Sequence, residues 1–115
     1  MKRMVMAGVA GLLLGAALVA ALPAGAQAPE EIPLAIEKNR FQPDVIKVKA
    51  DAPFVLVITN KDKGPEEFDM AQPRIEKVIP GGKTVRLRMP ALKAGKYPFV
   101  GEYHSETAKA TIVAE

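Results

Sequence analysis

Beyond residue 30, prolines and glycines fall between short apolar runs and almost never inside them. Turn signals stand at Gln42-Pro43-Asp44, Asp51-Ala52-Pro53, Lys63-Gly64-Pro65, Pro80-Gly81-Gly82 and Ala94-Gly95. Between them, Leu34 and Ile36, Ile46 and Val48, Val85, Leu87 and Met89, and Tyr97 and Phe99 repeat at period two, the period of a half-buried strand. The continuous apolar run Phe54-Val-Leu-Val-Ile58 is what a central strand requires, and residues 110–114 supply a last strand. No stretch of this region repeats convincingly at the helical period. Six or seven short strands at spacings of about ten residues predict an all-β, antiparallel β-sandwich. Pro33 and Pro98, which interrupt two of the runs, predict edge positions or bulges, because proline has no N–H to give a sheet ladder.

The first residues follow another logic. Lys2 and Arg3 precede an unbroken apolar stretch from Val5 to Leu22, and Ala24-Gly25-Ala26 follows. These are the three regions of a secretory signal peptide. Cleavage is expected after Ala26, since a cut after Ala28 would leave Pro29 hindering the scissile bond. The chain is therefore expected to divide into a signal peptide, residues 1–26, and one exported domain, residues 27–115, located in the periplasm. If uncleaved, the apolar stretch is close to the ~20 residues of a spanning helix and would serve as an anchor. No other membrane association is expected.

Charge and side-chain inventory narrow the chemistry. The 16 basic groups become 14 once Lys2 and Arg3 are removed, against 13 acidic ones, so the exported domain is nearly neutral. A domain so balanced has no large field to attract nucleic acid. There is no Cys and one His. That excludes disulfides, thiolate zinc sites, iron–sulfur clusters and a type 1 blue-copper centre, which needs a thiolate.

The informative polar residues lie in two loops. The first runs Asn60-Lys-Asp-Lys-Gly-Pro65-Glu66-Glu67-Phe68-Asp69-Met70, and the second Tyr97-Pro-Phe99-Val-Gly101-Glu102-Tyr103-His104-Ser-Glu106. Phe41-Gln-Pro43, Asn60-Lys-Asp62 and Gly95-Lys-Tyr97-Pro-Phe99-Val-Gly101-Glu-Tyr-His104 resemble the motifs of the cupredoxins over nearly all of residues 30–115. The resemblance implies a cupredoxin-like Greek-key β-sandwich of about seven strands. It aligns Gly101 with the copper-ligating Cys and His104 with the closing His ligand. Pro65-Glu66-Glu67 replaces the usual Pro-His, and the axial Met after the His is missing. Glu67-Phe68-Asp69, Lys77-Val78-Ile79-Pro80-Gly81-Gly82 and Tyr97 to His104 further resemble the EfeO-type cupredoxin-like domain. That family is associated with periplasmic iron uptake beside an inner-membrane iron permease, although EfeO carries an imelysin-like domain absent from this sequence.

If the two loops share one end of the sandwich, Glu67, Glu102 and His104 supply two carboxylates and an imidazole. Such a set suits Cu(II), iron or Zn(II), with copper favoured by intrinsic affinity among divalent ions. Glu67 is favoured over Glu66 because Glu67 and Asp69 share one strand face while Phe68 turns to the core. Glu102 is expected to share parity with His104 if the strand stays regular. Glu66, Asp69, Met70 as a weak copper cap and Tyr103 as a phenolate are the secondary candidates. Catalysis is not expected, since Ser105 beside His104 lacks a triad partner. Two functions follow: a periplasmic metal-binding accessory (iron or copper) of a metal-uptake system, or a degenerate cupredoxin acting as a protein-interaction module without metal.

Overall fold

The computed structural model describes residues 28–115, so the expected signal peptide, residues 1–26, lies outside the described residues. Nine strands follow in order: β1 (Glu30–Glu37), β2 (Arg40–Gln42), β3 (Val45–Val48), β4 (Phe54–Asn60), β5 (Glu66–Met70), β6 (Ile75–Ile79), β7 (Thr84–Met89), β8 (Gly95–Gly101) and β9 (Lys109–Ala114). A 3₁₀ turn, Glu102–His104, joins β8 to the segment before β9. The strands form two sheets, ordered β2-β1-β4-β7 and β3-β9-β8-β5-β6.

This is the all-β cupredoxin-like sandwich anticipated from the sequence, with two refinements. The short β2 and the edge strand β6 raise the strand number above seven. Neither carries a clean alternation: β2 has three residues, and Glu76, Lys77 and Val78 of β6 are all exposed. The second refinement is direction. β1 pairs with β4, and β3 with β9, in parallel. Period-two patterning reports which face a residue takes and carries no information on strand polarity, so "antiparallel" held only for the other pairings.

Both strand prolines sit where one side of the strand is open. β2 covers β1 only from Ala35 onward, leaving Pro33 paired with β4 alone. β5 reaches β8 only from Phe99 to Gly101, so Pro98 has only β9 as a neighbour. The missing N–H costs no ladder bond on an open side.

The core lies between the sheets and is built from the alternating residues: Leu34 and Ile36, Ile46 and Val48, Leu56 and Ile58, Phe68 and Met70, and Ile112. Phe99 is its aromatic centre, with ring centroids 4.9 Å from Phe41 in an edge-on contact and 4.7 Å from Phe68.

One end of the sandwich is held by side chains rather than by ladder bonds. Asn60, buried at the end of β4, donates through Nδ2 to the carbonyls of Gly64 (2.9 Å) and Ile79 (3.0 Å). Its Oδ1 accepts the Asp62 N–H at 3.0 Å. Asp62 in turn accepts the N–H groups of Lys38 and Asn39 at 2.8 and 2.9 Å. Lys38 and Asn39 have φ of 53° and 57°, the two-residue hairpin turn whose twist matches that of the flanking strands. The Asn60-Lys-Asp62 motif thus ties three loops together. Pro80-Gly81-Gly82 completes this end, because a Cβ at Gly81 would collide with the Lys63 carbonyl.

Candidate metal centre

Strand β5 decides which acid enters the protein. Its burial alternates, with Glu66, Phe68 and Met70 inward and Glu67 and Asp69 on the outer face. The parity read from the sequence is therefore correct, but the face shared by Glu67 and Asp69 is the outer one. Glu66 is the acid that shares the inward face of Phe68. An ionisable residue at an inward strand position is the sequence signal that marks it, since Glu is seldom fully buried without partners.

Glu66 has those partners. Its Oε1 accepts the N–H groups of Tyr103 (2.9 Å) and Glu67 (3.0 Å), and its Oε2 lies 2.6 Å from His104 Nδ1. With Glu66 as a carboxylate, Nδ1 carries the proton and donates. The space for the carboxyl comes from Gly101. A Cβ built there would lie 2.6 Å from Glu66 Cδ, 2.9 Å from Oε1 and 2.7 Å from the Ala108 Cβ. Gly101 has a φ of −87°, open to any residue, so it is room and not backbone freedom that this position needs.

His104 is set by its backbone. Strand β8 ends at Gly101, whose N–H donates to the Ala108 carbonyl at 2.9 Å. The His104 carbonyl then accepts the N–H groups of Thr107 (3.1 Å) and Ala108 (2.8 Å), closing a compact loop. Thr107 Oγ1 donates to the Asn39 carbonyl at 2.7 Å, fastening this loop to the β1–β2 turn. The His104 side chain is 37% exposed. Its Nε2 has no hydrogen-bond partner among the described residues, and no buried side-chain nitrogen or oxygen there is left unpaired, so Nε2 reaches solvent. It borders a surface pocket of about 400 Å³ lined also by Asn39, Glu102, Tyr103, Ser105, Glu106 and Thr107.

The sequence-derived ligand set does not gather around His104 as one cluster. Among the described residues there is no group of three or more His, Asp or Glu placed to hold an ion. The expected parity of Glu102 with His104 is broken by the 3₁₀ turn, where residues two apart point in different directions. Glu102 faces Asp69 instead. Hydrogen bonding to Asp69 and the charges of Asp69, Glu67 and Glu76 hold its carboxyl above the ordinary carboxylate range. Tyr103 sits beside Glu67. Partial desolvation, then the Glu67 charge and hydrogen bonding to Glu67, raise its hydroxyl above the usual tyrosine value. Met70 is wholly buried in the core, four residues along β5 from Glu66 and so about 13 Å away, out of reach as a cap. What the structure does bring together is Glu66 and His104.

The residues do not fit a type 1 copper centre. Gly101 stands where a thiolate is required, and the Glu66 carboxyl fills the volume such a side chain would use. A pair of one carboxylate and one imidazole can serve a harder or borderline ion. As placed, the Nδ1 proton lies between the two atoms, so Nδ1 and Oε2 could share one ion only once that proton left and the ring turned. Nε2, open to solvent, is the nitrogen free to bind as it stands, with Glu66 steadying the ring.

Two sheets, with a histidine loop after β8 set against the start of β5, define a cupredoxin-like β-sandwich. The chain belongs to the cupredoxin-like domain family, whose profile matches residues 10–114. It is 29% identical over 83 residues to the uncharacterized protein RP394 of Rickettsia prowazekii (strain Madrid E), covering 72% of this chain and 66% of that protein's length. Among solved structures it is similar to auracyanin A, a blue copper protein of Chloroflexus aurantiacus, with a TM-score of 0.67 at 15% identity, over 76% of this chain and all of that one. It is also similar to a copper binding protein determined in its apo form by NMR, with a TM-score of 0.65 at 18% identity, over 74% of this chain and 86% of that one. At such identities the structural likenesses speak for the fold alone.

Proposed function

We propose that this protein is a periplasmic metal-binding accessory of an uptake system, of the EfeO type, that carries iron or copper as cargo towards an inner-membrane permease. The observation that supports this reading is the buried Glu66 carboxylate 2.6 Å from His104 Nδ1, beside a ring edge open to solvent. Bound at Nε2 with Glu66 steadying the ring, or shared with Glu66 once the Nδ1 proton is lost, an ion would keep most of its coordination positions for water. Fe(III) would favour the carboxylate, and Cu(II) has the greater intrinsic affinity for mixed oxygen–nitrogen donors among divalent ions. The protein performs no catalysis in this scheme. The outer-face acids Glu67, Asp69 and Glu102 then act, if at all, as a separate set from the Glu66–His104 pair.

A second reading, a metal-free interaction module, is favoured by one observation: every oxygen of Glu66 already has a partner within the chain. Titration of the purified protein with Cu(II) and with iron, followed by absorption and paramagnetic resonance, separates the two. Stoichiometric binding, abolished in His104→Ala and weakened at least tenfold in Glu66→Gln, is expected for the carrier. Loss in Glu67→Gln and Glu102→Gln would move the centre to the outer face. Equally weak binding by the wild type and all variants would leave the interaction module.

A further inference from the structure

The outer face of the five-stranded sheet carries a charge pattern that complements itself. Register defines that face. Asp69 lies opposite Glu76 and Val100, and Val100 opposite Lys109. The next row runs Pro98, Thr111, Val45, and the one after it Lys96, Val113, Lys47. Side chains of one row in neighbouring strands point to the same side.

Charge of one sign collects at each corner of this surface. Glu67, Asp69 and Glu102 meet where β5 approaches the end of β8, with Glu76 beside them, and they crowd closely enough to disfavour the ionisation of Glu102. Diagonally across, Lys96 and Lys47 stand in one row, with Lys109 between the two corners. Each corner contains a counter-charge, Arg74 paired with Glu76 and Glu115 3.9 Å from Lys47, yet an excess of each sign remains. Uncharged Val100, Pro98, Thr111 and Val113 separate them.

The exposed large hydrophobic side chains point the same way. Among the described residues these are Val45 (51%), Val78 (44%) and Tyr103 (48%). Val45 is in the Thr111 row, Val78 is opposite Glu67, and Tyr103 borders Glu67, so all three belong to this one face. The outer face of the other sheet has none.

We infer that this face is a self-association surface whose occupant is a second copy of the same chain, packed face to face. A two-fold axis lying in the contact plane between the two corners lays each acidic corner over the partner's lysines, and the same patch serves both copies. The edge strand β6 is a poorer route to association, because Lys77 stands at an inward position there, a charge that discourages an added strand. Five strands about 4.8 Å apart and about five residues long give a footprint of roughly 400 Å², about half the ~800 Å² per partner of a standard stable interface. The dimer is therefore weak, salt-sensitive and formed at high local concentration.

Sedimentation equilibrium tests this at about 1 mM protein in ~20 mM salt, where exposed charges are little screened. Two charge-reversal variants are compared, Lys47→Glu/Lys109→Glu and Asp69→Lys/Glu76→Lys, with folding checked by circular dichroism. The wild type is expected to associate, and to become monomeric at ~0.5 M salt. Each variant alone should lose at least tenfold in association. Their equimolar mixture, in which each reversed corner again faces opposite charge, should form a heterodimer at least fivefold tighter than either variant's own homodimer. A wild type that stays monomeric, or a dimer indifferent to both reversals, overturns the inference.

Discussion

Replacing Gly101 with alanine tests whether the Glu66 carboxyl truly occupies the volume beside β8. The backbone at 101 is extended, with φ −87° and ψ 108°, so alanine brings no conformational penalty. On chain entropy alone the substitution would stabilise the protein by about 0.4–1 kcal/mol. Sterics oppose this. The new Cβ would meet Glu66 Cδ at 2.6 Å and Ala108 Cβ at 2.7 Å, both far inside van der Waals contact. Overpacking of this kind costs about 1–3 kcal/mol. If the carboxyl yields instead, it loses its bonds to Tyr103 N–H, Glu67 N–H and His104, each worth about 1.5–3 kcal/mol when the acceptor is charged. Water recovers part of that, and a net loss of about 3–5 kcal/mol is expected, large against the 5–15 kcal/mol of a typical domain. Urea unfolding of the wild type, Gly101→Ala, Glu66→Ala and the double variant measures it. With Glu66 truncated only the Ala108 contact remains, so the alanine should cost about half as much, a coupling of at least ~1.5 kcal/mol. Strictly additive costs, or a Gly101→Ala variant as stable as the wild type, would refute the reasoning that glycine is there to admit the carboxyl.

Two further outcomes follow from the same structure. Because the Glu102 carboxyl titrates higher in the folded protein than in the unfolded chain, the folded state binds the proton more tightly, and stability is lost as pH rises through its range. Glu102→Gln should therefore raise the thermal midpoint at pH 7, with the gain vanishing near about pH 3, where the carboxylates are protonated; an unchanged or lower midpoint at pH 7 would count against the crowding of Glu67, Asp69 and Glu76. Asn60→Ala removes three hydrogen bonds at a buried position, so denaturant unfolding should show a loss of about 2–4 kcal/mol. A loss below ~0.5 kcal/mol, the scale of an ordinary surface substitution, would show that these loops are held by other means.

How far the sequence carries is clearest along β5 and its neighbours. The alternation Glu66, Phe68, Met70 against Glu67, Asp69 was legible without coordinates, because a strand's side chains have a strict period of two. With Phe68 turned to the core, the inward face was legible too; that the acid on it, Glu66, would stay buried as a partner of His104 was not. Apolar residues declare their burial by type, whereas a carboxylate is buried only if donors await it, and the donors here come from Tyr103 and His104, 37 and 38 residues further on. Likewise, Gly101 was visible as the place where a thiolate would stand, but not as the space taken by Glu66.

The amino-acid sequence by itself determined the class: short strands punctuated by proline and glycine, a core of alternating Leu, Ile, Val and Phe, and no cysteine for a blue-copper site. Those properties are local, written in residue type and period. Tertiary structure alone decided the parallel pairing of β1 with β4, the end of strand geometry at Gly101, and the meeting of Glu66 with His104. It also decided that Glu67, Asp69 and Glu102 would crowd one corner of an outer face. These depend on long-range register and on a turn of three residues, and no period in the chain encodes either.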